Sequence, residues 1–334
     1  MLAELANLRG VSGNESAVRS FLAEKLDQFR TEISIDTMGN LLVRRGAKKN
    51  SPRIMLSAHM DEIGLMIMSI QKNGLLKFKP VGGIDNRVLA AKRVRIGPDG
   101  LPGVIGVKPI HLQKKEEQEK PFAEESLFID AGFKDKDDAG KQVRVGDYAA
   151  FDSVCEELGD GFYRGKAFDD RAGCLILLEL LLENDGLAFD AAFTVQEEVG
   201  TRGAAVAAYT LQPKVALAVE ATAASDTTET ESSAVSTVLG AGPAISFMDR
   251  TVMVSREMRK ELVEAAESAG VPYQFRRFTG GGTEAGVISL SREGVKTAVV
   301  AVPCRYIHSP HSIIQEKDIR AAVKMIRTWL ESRQ

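Results

Sequence analysis

The sequence predicts an α/β protein that is interrupted by a small inserted β-barrel domain. In the second half of the chain, apolar strands alternate with helices, which is the pattern of a sheet covered on both faces. Before them lies a stretch of short strands broken by Gly and Pro, without a long helical period. Because the alternation resumes after that stretch, we assign residues 1–64 and 156–334 to the α/β domain and residues 65–155 to the inserted domain.

Composition and charge narrow the possible partners and the compartment. A chain of 334 residues with 44% hydrophobic content can bury one large core or two smaller ones. The net charge of -3 and the scattering of lysines among acids argue against nucleic acid as a partner. Residues 1–10 include Glu4 and no uninterrupted apolar run, which argues against a signal peptide or a membrane span. The 3 cysteines lie far apart, as in a reducing compartment, so we expect a cytoplasmic protein.

The first part of the chain predicts one helix and three strands. Residues 14–29 have the spacing of an amphipathic helix, and residues 33–36 and 41–43 read as short strands around a turn. Residues 53–58 form an apolar strand that ends on His59. Further along, the mixed-charge run at residues 113–125 indicates a solvated loop or a surface helix.

After Gly165 the predicted strands and helices alternate. The strands are expected at residues 191–195, 215–219 and 297–302. The helices are expected at residues 171–183, 202–211, 255–268, 283–290 and 316–330. The first of these helices contains an apolar run, residues 174–182, that lacks a polar face and should therefore be buried.

Metal-competent side chains stand at the ends of the predicted strands and at the start of the buried helix. In an open α/β sheet the ligand crevice lies outside the carboxyl ends of the strands, so these residues converge if the strands are parallel. Two adjacent acids before a buried helix could simply cap it, but they could also hold a cation at the inner end of that crevice. The residues are His59, Asp169, Asp170, Glu197, Glu198, Glu220 and His308.

Nitrogen and oxygen donors without a thiolate cluster fit two divalent ions bridged by one carboxylate. Zinc suits imidazole best, and cobalt or manganese could bind according to availability. We assign Asp169 as the bridging ligand. His59 and Glu220 would complete one ion, and Glu198 and His308 the other, which leaves room for a shared water.

Two further residues receive roles in proton transfer and positioning. Neighbours on an extended chain point in opposite directions, so Glu197 cannot share the direction of Glu198. Glu197 is the candidate general base, which takes a proton from the metal-bridging water and delivers it to the leaving nitrogen. Asp61 can accept the other ring N–H of His59 and fix its orientation. Alone, the two glutamates could form a solvated acidic turn, and His59 could be an ordinary buried histidine.

Three other features near these strand ends leave alternatives open. His311 could replace His308 as a ligand, but Pro310 between them breaks the helix that would bring both together. Cys304 could lie near the ions or pack as a small hydrophobic residue. The Gly-rich segment at residues 280–286 lacks the Lys-Ser/Thr pair of a phosphate-binding loop, so we expect it to line the substrate pocket.

Several short motifs together resemble the dinuclear metallo-aminopeptidases of the glutamyl and tetrahedral aminopeptidase family, and the resemblance covers nearly the whole chain. Some members of this family carry the label endoglucanase. The motifs are Val11-Ser12-Gly13, His59-Met60-Asp61-Glu62-Ile63-Gly64, Val81-Gly82-Gly83, Phe168-Asp169-Asp170-Arg171-Ala172-Gly173, Gln196-Glu197-Glu198-Val199-Gly200-Thr201-Arg202-Gly203 and Arg305-Tyr306-Ile307-His308-Ser309.

The resemblance implies a phosphorylase-like α/β catalytic domain with a mixed central sheet. It also implies an inserted β domain used in assembly and tetrahedral dodecamers built from dimers. Carried over by residue, it implies His59, Asp169, Glu198, Glu220 and His308 as ligands, Glu197 as base and Asp61 behind His59. It further implies a cis peptide bond between Asp169 and Asp170. The chain departs from the family at Glu220 and Glu284, where Asp is commoner, and at Cys304, which replaces a usual Thr.

These observations predict a metal-dependent aminopeptidase that removes N-terminal residues from short peptides. A deacylase or another peptidase on the same ions is the alternative, and assays on free-amine and N-blocked substrates separate them. A glycosidase fits poorly, because it needs two carboxylates about 5 to 9.5 Å apart that are free of metal. A non-catalytic assembly protein is disfavoured because no position of the ligand set is vacant.

Overall fold

The computed structural model describes residues 1–48, 51–183, 186–228, 230–232 and 234–334. Its helices are α1 (Leu2–Asn7), α2 (Ser16–Lys25), α3 (Lys115–Gln118), α4 (Lys136–Ala139), α5 (Phe168–Leu182), α6 (Arg202–Leu211), α7 (Arg256–Ser268), α8 (Glu284–Ser289) and α9 (Glu316–Glu331). Its strands are β1 (Ile33–Ile35), β2 (Leu41–Arg44), β3 (Ile54–His59), β4 (Gly64–Ile70), β5 (Leu76–Val81), β6 (Arg93–Ile96), β7 (Leu101–Gly106), β8 (Phe128–Asp130), β9 (Tyr148–Phe151), β10 (Glu156–Gly159), β11 (Phe162–Gly165), β12 (Asp190–Thr194), β13 (Val215–Ala223), β14 (Ala244–Ser246), β15 (Gln274–Arg276), β16 (Lys296–Cys304) and β17 (Ser312–Gln315).

The central sheet is mixed and has eight strands in the order β1-β2-β12-β3-β13-β16-β14-β15. Its four middle strands, β12, β3, β13 and β16, run parallel to one another. Strand β2 pairs antiparallel with β12, and β14 pairs antiparallel with β16. The parallel middle strands are almost wholly buried because helices cover both faces. Their carboxyl ends therefore open at the same edge of the sheet.

The two faces of the sheet belong to different hydrophobic clusters. Leu56 packs in the large cluster that includes α5 and α9, whereas its neighbour Met55 packs on the opposite face with residues of α6 and α8. Side chains of successive strand residues point to opposite faces, so one strand supplies both clusters. Helix α5 packs against β3 and β13. Asp169 and Asp170 have non-helical backbone angles, so the regular part of α5 begins at Arg171.

A closed barrel of six strands in the order β4-β5-β8-β7-β6-β9 forms the second structural unit. Its antiparallel strands enclose a separate hydrophobic cluster that includes Leu65, Ile67, Val94 and Ile129. The α/β fold with a mixed central sheet and a small β-barrel is therefore confirmed. The first strand of the barrel begins at Gly64 and its last strand ends at Phe151. The assignment of residues 65–155 to an inserted domain remains a prediction.

The elements that the sequence did not predict are short. Strands β14 and β15 have three residues each, too few to reveal a period of two. The helix predicted over residues 14–29 ends at Lys25, and a 3-10 turn at Asp27–Glu32 follows it. Within the described residues, no helix combines the length and the apolar composition needed to cross a bilayer.

Candidate metal centre

A cavity of about 500 Å³ opens at the carboxyl ends of the parallel strands. The strand register places Thr194 of β12 beside His59, the last residue of β3. Glu220 lies near the end of β13, and His308 follows β16. The cavity is lined by all five predicted ligands and by the predicted base. These residues are His59, Asp169, Glu197, Glu198, Glu220 and His308.

Asp169 lies between the two histidines. Its Oδ1 atom is 3.2 Å from Nε2 of His59, and its Oδ2 atom is 3.2 Å from Nε2 of His308. The other nitrogen of each ring contacts a backbone carbonyl. Nδ1 of His59 lies 3.2 Å from the carbonyl oxygen of Asp61, and Nδ1 of His308 lies 2.9 Å from that of Gly83. These carbonyls orient the rings so that both Nε2 atoms face the same carboxylate. The peptide bond between Asp169 and Asp170 is cis, as the family resemblance implies.

The adjacent acids Glu197 and Glu198 follow a turn in which Gln196 has a φ of 57°. The carboxylate of Asp61 accepts hydrogen bonds from both of their backbone N–H groups, at 2.9 Å and 3.1 Å. Glu198 Oε2 lies 3.3 Å from Nε2 of His308, and its Oε1 atom is buried without a hydrogen-bond partner. The turn thus directs Glu198 into the donor cluster.

Asp61 contacts His59 less directly than the sequence predicts. Nδ1 of His59 is 3.5 Å from the Asp61 carboxylate but 3.2 Å from the Asp61 backbone carbonyl, which is therefore the closer partner. The carboxylate is held by the Ser12 hydroxyl, which donates to it at 2.6 Å. Asp61 therefore fixes the turn of Glu197 and Glu198 more than it fixes the imidazole.

Glu220 is buried and is held from one side by the start of α8. Its Oε1 atom accepts a hydrogen bond of 2.8 Å from the backbone N–H of Glu284. Glu284 itself is fully buried, and its carboxylate accepts a hydrogen bond from the Thr194 hydroxyl. Behind His59, Oδ2 of Asp170 accepts from the His59 backbone N–H at 3.2 Å.

The structure distinguishes between the alternatives that the sequence left open for His311, the Gly-rich segment and Cys304. His308 contacts the donor cluster, whereas His311 contacts the Ser153 hydroxyl at 3.0 Å and lies outside it. Residues 280–282 of the Gly-rich segment line the cavity, as predicted. Cys304 is fully buried in the large hydrophobic cluster.

Burial and neighbouring charges shift the protonation of the cluster strongly. Burial raises the pKa of Glu197 to about 7 and that of Glu198 to about 8. Burial also raises the pKa of Glu220 well above its ordinary value. For Asp169, burial opposes ionisation, but the hydrogen bonds from His308 and His59 outweigh it and lower the pKa. Burial alone would lower the pKa of His308, but the contact with Asp169 outweighs burial and raises this pKa to about 9.

The arrangement fits a cation site. Asp169, Glu198 and His308 offer donor atoms that all lie within 4.8 Å of one another. Several buried acids with few cationic neighbours are costly unless protons or cations compensate them. Imidazole nitrogen and carboxylate oxygen are donors that suit divalent transition metals.

Sequence reasoning did not assign a role to two buried residues at this site. From the sequence, Glu284 stands out only as a departure within the Gly-rich segment, because the hydrogen bond from its backbone N–H to Glu220 leaves no signal in the motif. Arg276 lines the cavity at the end of β15. It could have been noticed as one of two consecutive arginines shortly before the glycines.

Comparisons with known proteins agree with this fold and site. A family model described as M42 glutamyl aminopeptidase matches residues 39–325. A lysyl aminopeptidase of Pyrococcus furiosus is 31% identical, covering 96% of this chain and 93% of that protein. A glutamyl aminopeptidase of Lactococcus lactis is 31% identical, covering 98% of this chain and 94% of that protein.

The solved structure of the Pyrococcus horikoshii TET1 peptidase superposes with a TM-score of 0.86. It is 33% identical and covers 98% of this chain and 97% of that one. That peptidase is described as able to assemble into a tetrahedron or a large octahedral shell.

The fold and these relatives define a peptidase, and the relatives named above are aminopeptidases. The chain belongs to the M42 glutamyl aminopeptidase family. Members of this family are metal-dependent, and the family resemblance predicted from the motifs is confirmed.

Proposed function

We propose that this protein is an aminopeptidase that removes N-terminal residues from short peptides with the help of two divalent cations. The observation that carries the proposal is the position of Asp169, whose two carboxylate oxygens face two different imidazoles at 3.2 Å. A carboxylate with this environment is suited to bridge two ions. The membership of the M42 family supports the same activity.

The cation ligands would be divided as the sequence predicts. His59 and Glu220 would hold one ion, Glu198 and His308 the other, and Asp169 both. Zinc suits these donors best, and cobalt or manganese can take its place. When bound, such ions polarise a carbonyl oxygen and lower the pKa of water.

Glu197 is the proposed general base. It lines the cavity beside the proposed metal ligands, where a carboxylate can accept a proton from the attacking water and later donate it. Glu197 takes a proton from the attacking water and delivers it to the nitrogen of the leaving amine. Asp61 is a positioning residue, because it holds the backbone of Glu197 rather than facing the cavity.

A substrate preference for a free amino terminus is supported by the relatives, which are lysyl and glutamyl aminopeptidases, and by the side chains of the cavity. Three glutamates and one aspartate line it. The proposed cations would offset most of this negative charge, but a free amine can still bind to an ion or to a carboxylate oxygen, whereas an acetylated nitrogen is an amide without a basic lone pair. We therefore expect exopeptidase action from the amino end rather than deacylation.

The proposed active form is a homo-oligomer. Support comes from the TET1 relative, which is described as assembling into a tetrahedron or an octahedral shell. We propose that residues 65–155 form an inserted domain used in assembly and that dimers build a tetrahedral dodecamer. Multi-angle light scattering of the purified protein tests this, and a monomer at micromolar concentration would contradict it.

The activity is tested with matched peptides that differ only in N-terminal acetylation. The purified protein should cleave the free-amine peptide, lose this activity on chelation and regain it with zinc, cobalt or manganese. Equal cleavage of the acetylated peptide would favour the deacylase alternative. Cleavage that survives chelation would contradict the metal requirement.

A further inference from the structure

We propose that Arg276 selects substrates whose N-terminal residue is acidic, glutamate or aspartate, by pairing with the side-chain carboxylate. This inference rests on the proposed aminopeptidase function and adds the class of residue that is removed. The family alone does not fix this class, because the relatives include both a lysyl and a glutamyl aminopeptidase.

Arg276 is a buried cation in the wall of the cavity. It is the last residue of β15 and is only 8% exposed. It lines the same cavity as Glu197 and His308. Among the described residues that line this cavity, Arg276 is the single Arg or Lys, so one region of the wall is positive.

The guanidinium of Arg276 is held in place but not neutralised. Its Nη2 atom donates to the backbone carbonyl of Gly280 at 2.8 Å, and its carbon lies 5.9 Å from the centre of the Phe278 ring. In the part of the chain that the structure describes, no carboxylate oxygen lies within 4.0 Å of it, and its Nε atom has no hydrogen-bond partner. A buried charge without a counter-ion is costly, and a ligand carboxylate would remove that cost.

The cavity therefore offers different partners to the two ends of one amino acid. The donor cluster with its proposed cations would bind the free α-amine, whereas Arg276 favours a negative side chain. An N-terminal glutamate or aspartate carries both a free α-amine and a negative side chain. An N-terminal lysine would bring a second cation to Arg276, and glutamine would accept a weaker, uncharged hydrogen bond.

The experiment compares kcat/KM for Glu, Gln, Leu and Lys p-nitroanilides on the full-length, metal-loaded protein. The wild type should prefer Glu over Gln, and Arg276→Gln should reduce this Glu/Gln ratio by about 10- to 100-fold, as expected for one charge-assisted hydrogen bond. Arg276→Lys should retain part of the preference. Because the ratio is measured within one protein, a partial loss of folded enzyme cancels.

Arg277→Gln is the matched control, since Arg277 is the exposed neighbour and does not line the cavity. Its Glu/Gln ratio should equal that of the wild type. A second readout avoids turnover: in the Glu197→Gln protein, calorimetry should detect tighter binding of a Glu-terminated tripeptide than of a Gln-terminated one, and Arg276→Gln should abolish this difference.

Three results would overturn the inference. The first is a wild type without preference for Glu over Gln, and the second is an unchanged Glu/Gln ratio in Arg276→Gln. The third is an equal fall of all four rates in Arg276→Gln, which would indicate that Arg276 only shapes the Gly280 loop. Hydrolysis of Leu or Lys substrates without acidic preference would leave the aminopeptidase proposal intact. Hydrolysis of none of the four would overturn that proposal and this inference together.

Discussion

Single side chains at the site depend on contacts from distant parts of the chain. Asp61 accepts the Ser12 hydroxyl and the backbone N–H groups of Glu197 and Glu198, and it is fully buried. Three separate segments thus meet on one carboxylate. Asp61 thereby holds the backbone from which the side chains of Glu197 and Glu198 project.

We expect Asp61→Ala to weaken metal binding by about 10- to 100-fold, the usual effect of removing a residue that supports metal ligands. The cause would be the release of the turn that directs Glu198 into the cluster. Competition with a chromogenic zinc chelator measures the affinity. Asp99→Ala removes an exposed aspartate and should leave the affinity unchanged, whereas equal affinities in all three proteins would contradict the role of Asp61.

The sequence allowed most of these residues to be predicted as candidates, and the structure brings them to one cavity. Strand ends identified His59, Glu220 and His308, because parallel strands deliver their last residues to a common edge. The contact of Asp61 was harder to predict. Alternation along an extended strand suggested the His59 ring as its partner, but the local bend turned the carboxylate toward backbone N–H groups. Such tertiary hydrogen bonds leave no periodic trace in the sequence.

At the scale of elements, a buried ion pair joins the N-terminal segment to the strand and helix that carry the ligands. Lys166 donates to both carboxylate oxygens of Glu62 at 2.7 Å and 2.8 Å and to the Leu8 carbonyl at 2.7 Å. Glu62 also accepts the Gly10 N–H at 2.9 Å. Burial lowers the pKa of Lys166 to about 8. Glu62 follows β3 and Lys166 precedes α5, so the pair fixes their separation.

We expect Glu62→Gln to lower the free energy of unfolding by about 3 to 5 kcal/mol, because it leaves Lys166 buried without its counter-ion. Urea unfolding followed by circular dichroism measures the loss. Glu264→Gln is the control, since its pair with Lys260 is exposed, and it should change nothing measurable. A stability loss no larger than that of the control would show that the buried pair does not hold these elements together.

At the scale of the whole molecule, the fold class was predictable because long periodic segments dominate it. The helices at α6, α7 and α9 fall within one or two residues of their predicted ends. The three-residue strands β14 and β15 were not predicted, since their sheet position depends on partners distant in the chain. The position of Arg276 at the cavity could not be predicted either, because this residue belongs to β15.

The cluster makes the stability of the metal-free protein depend on pH. Burial raises the folded-state pKa of Glu197 and Glu284 to about 7 and that of Glu198 to about 8. The contact with Asp169 outweighs burial and raises that of His308 to about 9. Each group binds its proton more tightly in the folded state, so stability falls as pH rises from its unfolded pKa to these values.

We therefore expect the metal-free protein to unfold at a lower temperature at pH 8 than at pH 6. Added zinc should largely remove this difference, because the ionised ligands are then compensated by the cation. Differential scanning fluorimetry with and without chelator measures both curves. An unfolding temperature that rises from pH 6 to pH 8 without metal would contradict the pKa directions given for this cluster.

The central claim is that five distant side chains hold two cations while Glu197 moves the proton. The most direct measurement combines elemental analysis with peptidase rates for the wild type, Glu197→Gln and Glu198→Ala. We predict two ions per chain in the wild type and in Glu197→Gln, a rate reduced by about 100- to 10,000-fold in Glu197→Gln, and loss of metal in Glu198→Ala. Full activity in Glu197→Gln, or an unchanged metal content in Glu198→Ala, would contradict the claim.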